Sequence, residues 1–149
     1  MQIYVHVPSQ TLDFLDDDGT VHRRYVVSTS KFGLGFEPGS FKTPTGRFKI
    51  AEKIGAGVLP GTIFVSRVPT GEIGHESDTE DRVQSRILWL DGLDPENANS
   101  HDRYIYIHGT QAESLLGTAA SHGCVRMGND DVIDLFDRVE EGTLVTIEA

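Results

Sequence analysis

The chain has 149 residues, 38% of them apolar and 24% charged, with 23 acids against 13 bases for a net charge of −10. That length and mix suit one domain, 1–149, with a buried core. The acidic balance argues against nucleic acid and anionic membrane surfaces as partners, no apolar run approaches the ~18 residues of a membrane span, and one cysteine excludes an intrachain disulfide.

Residues 2–7 alternate Ile3, Val5 and Val7 with Gln2, Tyr4 and His6, the period of a half-buried strand. The same stretch lacks the basic and apolar regions of a leader peptide, so the expectation is a cytoplasmic protein, or a periplasmic one if a leader has been trimmed. Pro8 to Gln10 breaks the strand. Residues 11–16 repeat the pattern, Asp16 to Gly19 turns, and 21–28 follows as a third strand of an antiparallel meander. His6 and His22 read as exposed strand positions without catalytic weight. Residues 30–46 form a long loop rich in glycine and proline, a length that is uncommon without a job. Pro44 and Gly46 lead into a strand over 47–51.

Gly55-Ala56-Gly57 lacks the third spaced glycine of a dinucleotide site. Residues 62–66 read as a short buried strand, and 70–85 as a solvated acidic loop, with at most a helical turn, carrying Glu72, Glu76, Asp78, Glu80, Asp81 and a surface His75. Ile87 to Leu90 is a short apolar run with Trp89 in the core, turned by 91–97. A strand over 104–107 delivers His108 at its end, and 111–116 reads as a short helix stopped by Gly117. Asn129 suits an N-cap, Asp130 and Asp131 suit the first turn of a helix, and Val132, Ile133, Leu135, Phe136 and Val139 share one face. Gly142 is expected just past the helix, and a strand over 143–147 closes the sheet.

The chemistry concentrates in Tyr104 to Thr110 and Ser121 to Met127, which hold the only cysteine and two of the six histidines. A lone cysteine is ordinarily a small buried hydrophobe. Here a glycine-flanked polar loop presents Cys124, and His108 stands at a strand end as the base that a weakly ionised thiol needs. A zinc site on His108, His122 and Cys124 is the competing use, though the second cysteine pair of common zinc sets is absent.

His108-Gly109-Thr110 followed by Ser121-His122-Gly123-Cys124-Val125-Arg126-Met127 resembles the signature of the L,D-transpeptidase catalytic domain family. Lys42-Thr43-Pro44-Thr45-Gly46-Arg47-Phe48 resembles that family's Thr-Pro-x-Gly-x-Phe segment, and Trp89 to Gly109 is similar to its short stand-alone members. The resemblance implies a mainly β fold, a sandwich or barrel of mixed sheet with a C-terminal helix. It implies a thioester on Cys124 with His108 as base, oriented by the carbonyl of Gly109, and His122 supporting the nucleophile loop. Ser121 belongs to that loop, and Arg126 matches a polar position that holds the site and a substrate carboxylate. Backbone N–H groups of Gly123 and Cys124 are the candidate oxyanion donors, and Tyr106 or Thr110 the candidate pocket walls. The implied substrate is a peptidoglycan tetrapeptide or muropeptide, cleaved between the diamino acid and D-Ala. No cofactor is implied. Hydrolysis by an L,D-carboxypeptidase is the first expectation, cross-linking by a transpeptidase the second, and a non-catalytic peptidoglycan-binding module the third.

Overall fold

The computed structural model describes residues 1–75 and 82–149, with ten strands and one α-helix among them. β1 (Gln2–His6), β2 (Thr11–Leu15) and β3 (Val21–Ser28) form the antiparallel meander that the alternation predicts. After them come β4 (Gly46–Ile54), β5 (Thr62–Val65), β6 (Val68–Ile73), β7 (Val83–Gly92), β8 (Tyr106–Thr110), β9 (Val125–Gly128), α1 (Asn129–Arg138) and β10 (Leu144–Glu148).

The strands run in the order β4-β10-β1-β2-β3-β9-β8-β7, and β7 pairs back onto β4, so the sheet closes into a barrel. β1 with β10 and β8 with β9 are parallel pairs; the β5–β6 hairpin hangs from β7 outside the ring. Strand alternation sends side chains to two faces. Leu88 and Leu90 of β7, Ile107 of β8, and Val125 and Met127 of β9 point inward. They pack with Ile3, Val5, Leu12, Phe48 and Ile147, with the apolar face of α1, Val132, Leu135 and Phe136, and with Val139 just past its end. Each such buried aliphatic side chain stabilises by about 1.5–3 kcal/mol. Ile87, Trp89 and Tyr106 point the other way and pack with Phe64 of β5 in a second cluster, which Cys124 joins. The fold is thus mainly β, a mixed barrel with one C-terminal helix.

Several local expectations are corrected. The segment 70–85 is not one loop: Thr70 to Ile73 belong to β6 and Val83 to Ser85 to β7, while the expected Glu76, Asp78, Glu80 and Asp81 lie outside the described residues. β6 is exposed along its length and carries Pro69, which a central strand would reject but an edge strand tolerates. Its sequence therefore lacks alternation. β7 runs through Asp91 and Gly92, beyond the expected turn, and β4 runs on to Ile54. The strand before His108 begins two residues later than expected, so His108 sits mid-strand; Tyr104 is in a turn at φ 57°. Residues 113–115 form only a 3-10 turn. Asn129 is not the N-cap: Gly128 holds that position, and the Asn129 N–H donates to Glu113 Oε1 at 3.0 Å. Gly142, at φ 91°, turns the chain into β10 rather than ending α1, which stops at Val139 in extended backbone. No helix among the described residues is long and apolar enough to cross a membrane.

Candidate active site

The parallel register of β8 and β9 builds the site. Ile107 faces Val125, His108 faces Arg126 and Gly109 faces Met127. Paired residues of a parallel ladder share a face, so Tyr106, His108 and Arg126 lie on the side opposite the core residues Ile107, Val125 and Met127. Cys124, one step before β9, continues that side, and the Tyr106 N–H donates to its Sγ at 3.4 Å. His108 and Cys124 are therefore diagonal neighbours on one face, on the order of 8 Å apart at Cα from strand spacings.

His108 is buried, and its Nδ1 lies 2.6 Å from the Gly109 carbonyl oxygen. A carbonyl only accepts, so Nδ1 carries the proton and Nε2 is left as the basic nitrogen. Gly109 is required by a close approach. A Cβ there would overlap Asn129 Oδ1 and stand 2.8 Å from the Gln84 carbonyl oxygen. Behind it lies a buried polar network in which Ser85 Oγ donates to Asn129 Oδ1 at 2.7 Å and Asn129 Nδ2 to Gln84 Oε1 at 3.1 Å.

Cys124 is half-buried. Its Sγ lies 3.4 Å from the Tyr104 carbonyl oxygen, to which a thiol donates, and 3.4 Å from the Tyr106 N–H, which donates to the sulfur. The loop that carries it is tied at several points. Ser121 Oγ donates to the Cys124 carbonyl at 2.6 Å, and the Ser121 N–H donates to the Thr29 carbonyl at 2.8 Å. Thr43 Oγ1 donates to the Gly123 carbonyl at 2.9 Å and accepts the Ser30 N–H at 3.0 Å, joining both ends of the long β3–β4 loop to the nucleophile loop through one buried hydroxyl. Gly123 needs its lack of a side chain for φ 121°, outside the range of ordinary residues.

A cavity of about 350 Å³ opens at the sulfur, lined by Phe41, Arg103, Tyr104, Ile105, His122 and Cys124 among others. Arg103 straps the 35–42 loop to this wall: Nη2 donates to the Lys42 carbonyl at 2.8 Å and Nη1 to the Gly35 carbonyl at 3.3 Å. Burial pulls the Arg103 guanidinium below its ordinary range, and the nearby Glu37 carboxylate and the Cys124 sulfur, when ionised, act against it. On the other side, Arg67 donates to the Tyr106 hydroxyl at 3.1 Å. Burial raises the Tyr106 phenol and Arg67 opposes it.

The expected residues divide by position. Cys124 and His122 line the cavity, and His108 and Gly109 lie on the strand behind it. His122 is exposed at the mouth, its ring 5.9 Å from that of Phe41 and 5.8 Å from that of Phe32. Ser121 ties the loop from beneath. Gly123 donates its N–H to Ser121 Oγ at 3.3 Å, a long bond that an oxyanion would have to replace. Arg126 is 2% exposed, with Nη2 3.5 Å from Ser28 Oγ, and is not among the residues that line the cavity. Tyr106 packs in the second cluster, and Thr110 is buried and accepts the Ala112 N–H, away from the cavity wall. The described residues contain no group of three or more histidine, cysteine or acidic side chains placed to hold a metal ion, so His108, His122 and Cys124 do not form the alternative zinc set. Arg103, Arg67 and the bridging role of Thr43 escape a sequence reading, since their partners are distant in the chain.

The family model of the L,D-transpeptidase catalytic domain matches residues 1–147. A relative from Bacillus subtilis, the L,D-transpeptidase YqjB, is 46% identical over 52 residues, which are 34% of this chain and 30% of that protein. YkuD of the same organism is 54% identical over 41 residues, 28% of this chain and 25% of that protein. Among solved structures, an L,D-transpeptidase from Mycobacterium smegmatis matches with TM-score 0.62 at 22% identity, over 99% of this chain and 58% of that one. L,D-transpeptidase 3 from Mycobacterium tuberculosis, in complex with a faropenem-derived adduct, matches with TM-score 0.62 at 16% identity, over 99% of this chain and 59% of that one. These likenesses are to the fold. The chain spans less than two thirds of either solved chain, and the matched segments less than a third of either relative.

Proposed function

Because the chain belongs to the family of L,D-transpeptidase catalytic domains, we propose that it is a cysteine acyl-transfer enzyme acting on peptidoglycan stem tetrapeptides at the bond between the diamino acid and D-Ala. The observation that carries this reading is the parallel β8–β9 register. It sets Cys124 at a cavity and His108 on the same face, with the His108 Nδ1 proton held by Gly109.

The Cys124 thiolate attacks the carbonyl carbon of the diamino acid, and His108 Nε2 holds the thiol proton. The C–N bond breaks, the amine of D-Ala leaves with that proton, and a thioester remains. In the hydrolytic reaction, His108 takes a proton from water, hydroxide adds to the thioester, and the thiol is restored with a tripeptide as product. The L,D-carboxypeptidase reading is kept as the first, since it asks only water as the acceptor of the acyl group. The family's own description favours the second reading, in which the amine of another stem resolves the thioester and a cross-link forms.

Product analysis tests this. Incubation with a disaccharide tetrapeptide is expected to release one D-Ala and leave tripeptide. A dimer joined between two diamino acids would replace hydrolysis by cross-linking, and no D-Ala release at all would reject acyl transfer at this bond. The Mycobacterium tuberculosis neighbour carries a faropenem-derived adduct, and the same drug is expected to acylate this protein with a mass shift absent from Cys124→Ala. An unchanged shift in that variant would move the nucleophile elsewhere.

A further inference from the structure

Arg67 is one of 13 bases in a chain with 23 acids. Arg24, Arg47 and Arg138 each bind a carboxylate, those of Asp13, Asp94 and Asp134. Arg67 has no ion pair of that kind among the described residues. Its guanidinium lies instead 4.8 Å from the Trp89 ring and 5.2 Å from the Tyr104 ring, and Nη1 donates to the Tyr106 hydroxyl at 3.1 Å. The chain puts it there through the β5–β6 hairpin. Val65 pairs with Val68, and the two tip residues Ser66 and Arg67 are both left-handed, at φ 47° and 66°. That is the two-residue turn whose twist matches its strands, held here without the glycine or asparagine it favours.

The rings beneath Arg67 are those around the nucleophile. Tyr106 gives its N–H to Cys124 Sγ, the Tyr104 carbonyl faces the same sulfur, and Trp89 and Tyr106 pack with Cys124 in one cluster. Aromatic faces fix the plane of a guanidinium without neutralising it, and one hydrogen bond to Tyr106 uses only one of its five donors. The other charged side chains around the cavity do not duplicate this. Arg103 spends its donors on Gly35, Ser40 and Lys42, Arg126 is buried, Asp102 is of opposite sign, and Glu52 acts on Arg67 only at long range.

We propose that Arg67 is a specificity-determining residue that takes a free carboxylate of the acyl-donor peptide bound at Cys124. The inference rests on the reading of Cys124 as the nucleophile. A peptide ending in D-Ala presents such a carboxylate within a few bonds of the attacked carbonyl, so a guanidinium over the rings beside Cys124 would select chain ends over internal amides.

Alkylation of Cys124 by iodoacetate and by iodoacetamide tests the charge preference without any peptide. In Arg67→Gln at low ionic strength, the iodoacetate rate is expected to fall by about three- to tenfold, the scale of one nearby charge, while the iodoacetamide rate holds. Arg67→Lys is expected to keep part of the preference. Parallel slowing of both reagents would show that Arg67 acts on packing or thiol ionisation, and unchanged rates would show that it does not reach an anion at the sulfur; either overturns the proposal. With the tetrapeptide, KM is expected to rise in Arg67→Gln and to be unaffected for the C-terminal amide. Failure of the wild type to release D-Ala would reject the acyl-transfer reading, and the alkylation ratio would still decide the role of Arg67.

Discussion

At the scale of single residues, the site depends on which atoms hold which protons. The Nδ1 contact to Gly109 fixes one tautomer of His108, and the Tyr106 N–H and Tyr104 carbonyl give Cys124 one partner for each protonation state. His108→Ala is expected to lower turnover by ~10²–10⁴-fold, the usual contribution of a general base. An unchanged rate of tripeptide formation would move that role to His122. Much of this constellation is legible in the sequence because its parts are local: a histidine beside its own glycine, a cysteine flanked by serine and glycine. What is not legible is contact across the fold. Thr43 reaches Gly123 over 80 positions, and Arg103 reaches Lys42 over 61.

At the scale of elements, charge placement gives two predictions of opposite sign. Asp13 on β2 is buried, and Arg24 on β3 binds it through two hydrogen bonds, with His6 nearby. Arg24 holds the Asp13 carboxyl below its ordinary range against the effect of burial. A depressed folded value means stability that is present above the unfolded value of ~3.9 and lost as pH falls through the folded one. Asp13→Asn is thus expected to lower Tm at pH 7, with the difference closing in acid. Asp131 in the first turn of α1 is the reverse. Burial, with Glu113, Asp130 and Asp134 around it, raises its carboxyl, so its ionisation costs the folded state more than the unfolded. Asp131→Asn is expected to raise Tm at pH 7 and to have no benefit below the unfolded value. Thermal unfolding across pH checks both, and a rise for Asp13→Asn or a fall for Asp131→Asn contradicts the assignment. The strands that alternate, β1 to β3 and β10, can be read from sequence. β9 cannot, because it is buried on both faces and four residues long, and β6 cannot, because an exposed edge has no apolar face to mark it.

At the scale of the molecule, barrel closure is what brings distant segments to one cavity. β7 pairs with β4, β5 and β8; the strap at 35–42 and the nucleophile loop meet at one cavity, and the hairpin tip at Arg67 lies over the Trp89 and Tyr104 rings beside it. No periodicity in the chain announces that closure, since each pairing joins residues far apart in sequence. The central claim is a covalent intermediate on Cys124, and intact-mass measurement of protein quenched during turnover of a tetrapeptide tests it most directly. The account predicts an adduct of the substrate less D-Ala, localised to the peptide that contains Cys124 and absent from Cys124→Ala, which should stay folded but inactive. D-Ala release at the wild-type rate by Cys124→Ala would contradict it.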